Sequence, residues 1–148
     1  MDVSEDDVRN SLARWQDTLR LRDWDIDVEI MGSDWGKSGD IRADEHTKTA
    51  MLMINRRPRC TNLDELVVHE LVHLKLWGLD RLVEELLELL YDQSGNEPQK
   101  AFAHGRFMDV LEPTVEDLTK ALLAAAGSPV PLSFDRARLA PGPGGMRP

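Results

Sequence analysis

The chain has 148 residues, 41% of them hydrophobic and 30% charged, which predicts one globular domain with a modest core and argues against two full domains. Its 27 acidic and 18 basic side chains leave a net charge of −9, which argues against a protein that binds nucleic-acid phosphates. The single cysteine, the acidic first residues and the lack of a long apolar run argue against disulfides, a secretion signal and a membrane span, so we expect a cytoplasmic protein.

The first predicted elements are a helix and a strand. Ser4 and Asp7 match a capping box, and apolar residues recur at helical spacing behind them, so residues 5–21 are predicted to form an amphipathic helix. Over residues 24–30 apolar and acidic side chains alternate strictly, which is typical of a half-buried strand. Three glycines in residues 31–39 then predict a loop.

Two further strands are predicted before the chain becomes helical. Ile41 and Ala43 are compatible with a short second strand. Residues 49–55 are almost continuously apolar, which indicates a strand that is covered on both faces or that faces a ligand. We expect Pro58 and the two arginines before it to end this segment.

The second half of the chain is predicted to be helical. Thr61 or Asn62 is a suitable N-cap for a helix that runs to about Leu76, with Gly78 as its C-cap. A second amphipathic helix is predicted over residues 80–91. Its buried side is expected to carry Leu82, Val83, Leu86, Leu87, Leu89 and Leu90.

A turn over residues 94–98 precedes a third helical region, from about residue 99 to residue 126, which Pro113 is expected to interrupt. Residues 128–148 are rich in proline and glycine and have no sustained period, so we predict a flexible tail. The resulting prediction is a small α+β domain over residues 1–127. It comprises an N-terminal helix, a two- or three-stranded sheet and three helices.

The chemistry is carried by one motif, His69-Glu70-Leu71-Val72-His73, within the first of these three helices. Helical residues four apart project to the same side, with about 5–6 Å between their Cβ atoms, so His69 and His73 can bind one ion. Neutral imidazole nitrogen suits zinc. Glu70 lies about a hundred degrees round the helix, where it can serve as general base for water at that ion.

A structural role for the two histidines is the competing interpretation of this motif. Short motifs arise by chance, and a buried histidine is often a satisfied part of the core. The residues around this motif are aliphatic, and imidazoles among aliphatic side chains need a polar partner or a metal. This context favours a metal site.

With these residues in place, the chain resembles the zincin metallopeptidases. The order of elements is similar to the minigluzincins and to short metallopeptidase-like proteins encoded by phages and prophages. The resemblance covers about residues 20–125 and is carried mainly by the HExxH motif. Lys75 departs from the apolar residue usual there, and Leu76 and Leu79 stand where metzincins have glycine and a third histidine.

The resemblance implies a third zinc ligand from a later helix. Gluzincins use a glutamate, and Glu112 in the segment LEPTVEDLTKALL matches that place best, with Glu116 as the second candidate and His104 as a third. The remaining candidate ligands rank lower, namely His46, Asp80, Glu84, Glu85 and Glu88. Tyr91 could donate to an oxyanion, although a partly buried structural tyrosine is the simpler interpretation.

Cys60, nine residues before His69, has two interpretations. A thiolate that reached the zinc would keep the enzyme latent, whereas a lone cysteine near a helix start is more often a small apolar filler. The proline-rich tail could also occupy the cleft, as terminal segments do in some minimal zincins.

The resemblance implies a zinc-dependent peptidase that adds an extended peptide to a sheet edge, which would be residues 49–55. The expected partners are a peptide or protein substrate and zinc, with no nucleic acid, no membrane and a monomeric chain. The alternative is a non-catalytic, zinc-stabilised binding module of phage or prophage origin. A DNA-associated metalloprotease is disfavoured by the net charge and by the absence of a cysteine ribbon.

Overall fold

The computed structural model describes residues 2–92 and 95–128, which form an α+β domain as predicted. Most of the predicted tail and the first residue of the predicted 94–98 turn lie outside the described residues. In chain order the elements are α1 (Glu5–Thr18), β1 (Asp25–Met31), β2 (Gly39–Asp44), β3 (Thr49–Asn55), α2 (Leu63–Lys75), α3 (Trp77–Tyr91) and α4 (Glu97–Ala125).

Helix α1 begins with the predicted capping box. The Ser4 hydroxyl accepts the backbone N–H of Asp7, and the Asp7 carboxylate accepts the N–H of Ser4, both at 3.1 Å. The helix ends at Thr18 rather than at residue 21, because the chain turns at Arg20, whose φ is 57°. Its apolar side, which carries Val8, Leu12 and Trp15, is buried in the core.

The three strands form one mixed sheet in the order β1-β3-β2. Strand β3 pairs parallel with β1 and antiparallel with β2, so the expectation that residues 49–55 form the sheet edge is wrong. The continuous apolar character of β3 reflects its central position, where Leu52 and Ile54 are fully buried. The edge beside the HExxH helix is β2.

The junction between α2 and α3 is shorter than predicted. Asn62 caps α2, as expected, and its side chain accepts the N–H of Glu65 at 3.1 Å. The helix ends at Lys75, and Gly78 is not its C-cap but lies inside α3. Leu76 alone separates the two helices with φ −94°, a conformation that needs no glycine.

Most leucines of α3 are exposed, contrary to the prediction that they form a buried side. Leu87 is buried, whereas at least 46% of the surface of each of Leu82, Leu86, Leu89 and Leu90 is exposed. The reason is that α3 packs along α4 by one side. That side carries the hydrogen bond between Glu84 and His104 at 3.0 Å and an ion pair between Glu88 and Lys100.

Helix α4 continues through Pro113, which was expected to interrupt it. Proline lacks the N–H that would bond to Asp109, but burial of Leu111 and Val115 on either side holds the helix against the domain. Glu112 and Glu116 therefore lie one helical turn apart on a continuous helix.

The core lies where α1, the sheet, α2 and the C-terminal half of α4 meet. Val67, Val68 and Leu71 of α2 are fully buried, as are Val115 and Leu123 of α4. Among the described residues, none of the helices has both the length and the apolar character required to cross a bilayer.

Leu52 provides a test of the central position of β3. We expect Leu52→Ala to lower the free energy of unfolding by about 2–5 kcal/mol, because the fully buried side chain leaves a cavity. Leu89 is 76% exposed, and Leu89→Ala should change stability by less than about 0.5 kcal/mol. Urea denaturation measures both, and equal effects would contradict the sheet order.

Candidate metal centre

Helix α2 places the two histidines of the motif on one side, one turn apart. The His69 and His73 rings have centroids 5.0 Å apart and planes inclined at 64°. Both side chains are largely buried, with 17% and 16% of their surface exposed. The fully buried residues of α2 hold this helix in the core, so the two rings are presented from a rigid support.

Helix α4 brings the carboxylate of Glu112 to both rings. Its Oε1 lies 3.2 Å from His73 Nε2, and its Oε2 lies 3.5 Å from His69 Nε2. One donor atom from each of the three residues lies within 4.8 Å of the other two. Two imidazole nitrogens and one carboxylate oxygen are the ligand set of gluzincin-type zinc sites, which leave a fourth position open. The donor set therefore fits zinc.

Glu116 occupies a different position from Glu112. Its Oε1 lies 3.4 Å from His69 Nδ1, the nitrogen on the other side of the ring, and its Oε2 accepts from Lys120 at 2.7 Å. A carboxylate in this place holds the tautomer and orientation of a ligating histidine. Glu116 is thus suited to position His69, whereas Glu112 is suited to bind the ion directly.

Glu70, between the two histidines in sequence, is only 6% exposed. Burial raises the pKa of its carboxyl to about 7, although the neighbouring His69 and His73 act in the opposite direction. A carboxyl with a pKa near neutrality can both accept and return a proton at physiological pH.

Gly39, the first residue of β2, lies against this carboxyl. A Cβ at position 39 would stand 3.2 Å from Oε1 of Glu70 and 3.0 Å from Cδ1 of Leu66. The absence of a side chain thus lets the edge strand pass close over Glu70. The sequence indicated only a glycine-rich loop here, and the close approach depends on how β2 packs on α2.

Asn55, at the end of β3, positions the segment that leads into β2. Its side-chain Nδ2 donates to the carbonyl oxygens of Trp35 and Lys37, both at 2.9 Å, and the residue is 4% exposed. No sequence pattern used above singled out Asn55. An asparagine at the end of an apolar strand and just before two arginines was the available signal.

The pKa values of Glu112 and His69 are shifted by their neighbours in the cluster. The hydrogen bonds from His69 and His73 hold the pKa of Glu112 well below its usual range. Burial acts to lower the pKa of His69, but its hydrogen bond with Glu112 and the charges of Glu70 and Glu116 outweigh burial and raise it. Because protonated histidine cannot bind a metal, zinc must compete with these protons.

The remaining sequence candidates lie outside the ligand cluster. His104 pairs with Glu84 on α3, His46 lies in the turn between β2 and β3, and Tyr91 is the last residue of α3. Asp80 lines a cavity that also contains His73.

Cys60 lines a second cavity, beside His69 and Glu70, but is not part of the ligand cluster. Burial raises the pKa of its thiol to about 11, and its Sγ lies 3.4 Å from Oε2 of Glu65. The thiolate needed to bind zinc is thereby disfavoured, which supports the interpretation of Cys60 as a small filler.

Comparisons with known proteins return no match for this chain among protein-family models, curated proteins or solved structures. The assignment of chemistry therefore depends on the geometry of the site.

The different positions of Glu112 and Glu116 predict different effects on zinc binding. We expect Glu116→Gln to weaken zinc affinity by about 10–100-fold, as loss of an orienting partner does, and Glu112→Gln to weaken it further. Asp117→Asn, on the exposed side of the same helix, is the matched control. Zinc titration against a chromophoric chelator measures all three. A larger loss in Glu116→Gln would reverse the ligand assignment.

The buried carboxyl of Glu70 predicts a pH-dependent stability in the metal-free chain. Its pKa is higher in the folded state than in the unfolded state, so its ionisation opposes folding as pH rises from about 4.5 to about 7. We expect Glu70→Gln to match wild type near pH 4.5 and to be more stable by about 2–3 kcal/mol at pH 8. Denaturation with a chelator present measures this difference, and a pH-independent difference would contradict it.

Proposed function

We propose that the protein is a zinc-dependent peptidase in which His69, His73 and Glu112 bind the metal and Glu70 is the general base. The observation that carries this proposal is the convergence of three ligand atoms within 4.8 Å. The buried carboxyl of Glu70 lines both of the cavities that His69 and Glu112 line. This arrangement combines the zinc ligand set with a buried carboxyl group that can act as a proton acceptor.

Zinc bound by these residues would supply Lewis acidity, which polarises a carbonyl group and lowers the pKa of water. The chain's own contribution is the proton chemistry of Glu70. Its carboxylate takes a proton from the attacking water, and the resulting acid returns it to the leaving amine. Burial of the carboxyl and the close passage of Gly39 limit the access of bulk water to Glu70.

The free edge of β2 supports an extended peptide as substrate. The carbonyl oxygen of Ser38 accepts the N–H of Asn55 at 2.8 Å, so alternate residues from Ser38 onward bond to β3. Gly39 and Ile41 alternate with the residues that bond to β3, so their main-chain groups point to the open edge of β2. A peptide strand can add at this edge. The Asp40 carboxylate accepts the N–H of Ile41 at 2.9 Å, and a bound peptide would replace that contact.

Glu70→Gln separates a peptidase from a binding module. We expect about one zinc ion per chain in both wild type and variant, because the ligands are intact, but hydrolysis of an unfolded protein by wild type alone. Metal analysis and gel-based cleavage assays measure the two properties. Zinc in both proteins with cleavage in neither would favour the non-catalytic module.

A further inference from the structure

A cavity of about 380 Å³ adjoins the metal centre on its α3 side. It contains His73 and Glu70 together with the charged side chains of Lys37 and Asp40, and the rest of its lining includes apolar side chains from three elements. These are Ile41 of β2, Trp77 of α3, and Met108 and Leu111 of α4. The shape and polarity of such walls suit an unbranched aliphatic chain.

One carboxylate in this cavity forms no ion pair. Asp80 is partly buried and makes no hydrogen bond or salt bridge through its side chain within residues 2–92 and 95–128. Lys37, which lines the same cavity, donates to Asp40 at 2.8 Å, and Glu84 bonds to His104. The charges of His73, His104 and Arg81 act on Asp80 without forming an ion pair with it. Burial, followed by repulsion from Glu84, raises the pKa of Asp80, so a cation beside it would be stabilised.

The direction of β2 indicates whether this cavity faces the peptide residues before the cleaved bond or those after it. A peptide that adds antiparallel to β2 passes Ile41 before Gly39 when followed from its N-terminus. The cavity that contains Asp80 is lined by Ile41, whereas the cavity on the opposite side of Glu70 is lined by Ser38. Asp80 therefore lies on the side of the residues that precede the cleaved bond.

We infer that this cavity selects a lysine or arginine side chain N-terminal to the cleaved bond, with Asp80 as its counter-charge and Trp77, Met108 and Leu111 as the apolar wall. This inference rests on the proposed function for the position of the cleaved bond. The aliphatic stem of the substrate side chain packs against the wall, and its charged end pairs with the carboxylate. Trp77 adds an aromatic face beside the cation.

A different role for Asp80 is to orient His73, which lines the same cavity. The two roles predict different results for Asp80→Asn. An orienting carboxylate would lower zinc affinity when removed, as expected for a partner of a ligating histidine. A specificity residue would change which peptide binds and leave zinc content unaltered.

The first test measures binding without catalysis, in the zinc-loaded Glu70→Gln chain. The probes are peptides whose other residues are uncharged and in which one position carries either lysine or its uncharged analogue norleucine. Their binding is measured by calorimetric titration. We expect about fivefold or greater preference for lysine at one position, weakened by salt. Asp80→Asn should abolish the preference, and Asp80→Lys should reverse it, so that the norleucine peptide binds more tightly than the lysine peptide.

Asp117→Asn is the control for the loss of one negative charge, because Asp117 is an exposed residue of α4 that lines neither cavity. It should keep the preference for lysine. Equal affinity for both peptides, a preference that survives Asp80→Asn, or loss of zinc from Asp80→Asn would each overturn the inference.

The second test maps the bonds that wild type cleaves in an unfolded protein. We expect basic residues to be enriched on the N-terminal side of these bonds. Cleavage without this enrichment would overturn the inference and leave the peptidase function intact. A lysine preference in the binding test, with no cleavage by wild type, would overturn the peptidase function and support the cavity as a binding site for basic side chains.

Discussion

The packing of α4 against α2 is the constraint on which the site depends. Leu111 and Val115 are buried at a spacing of four residues, and this sets the rotation of α4 about its own axis. The residues that follow them, Glu112 and Glu116, are thereby directed at opposite nitrogens of His69. The same apolar burial that stabilises the domain thus brings one carboxylate to both imidazoles and a second carboxylate behind one of them.

A second contact, between α2 and the start of β2, keeps a carboxyl group out of water at the centre of the site. Glu70 is buried between α2 and the first residue of β2, and its pKa is raised to about 7 in compensation. Gly39 makes this close approach sterically possible, while Asn55 fixes the segment that leads into it. The domain therefore accepts a destabilising ionisation at the candidate site, as functional sites often do.

For the fold, local patterns in the sequence were sufficient to find the elements but not to place all of them. The capping box before α1 and the N-cap of α2 are local hydrogen-bonding arrangements, so both were predicted correctly. The central position of β3 and the exposure of the α3 leucines were not predicted correctly. Apolar character is compatible with several burial environments, and only the neighbouring elements decide between them.

For the site, the sequence by itself determined the local geometry of the HExxH motif, because a spacing of four residues on any helix places His69 and His73 together. Sequence spacing also placed Glu70 beside them. Only the tertiary structure decided that Glu112 rather than Glu116 faces both rings, and that Gly39 lies over Glu70. These contacts join residues separated by about 30 or more positions, and their geometry follows from core packing, which no local pattern encodes.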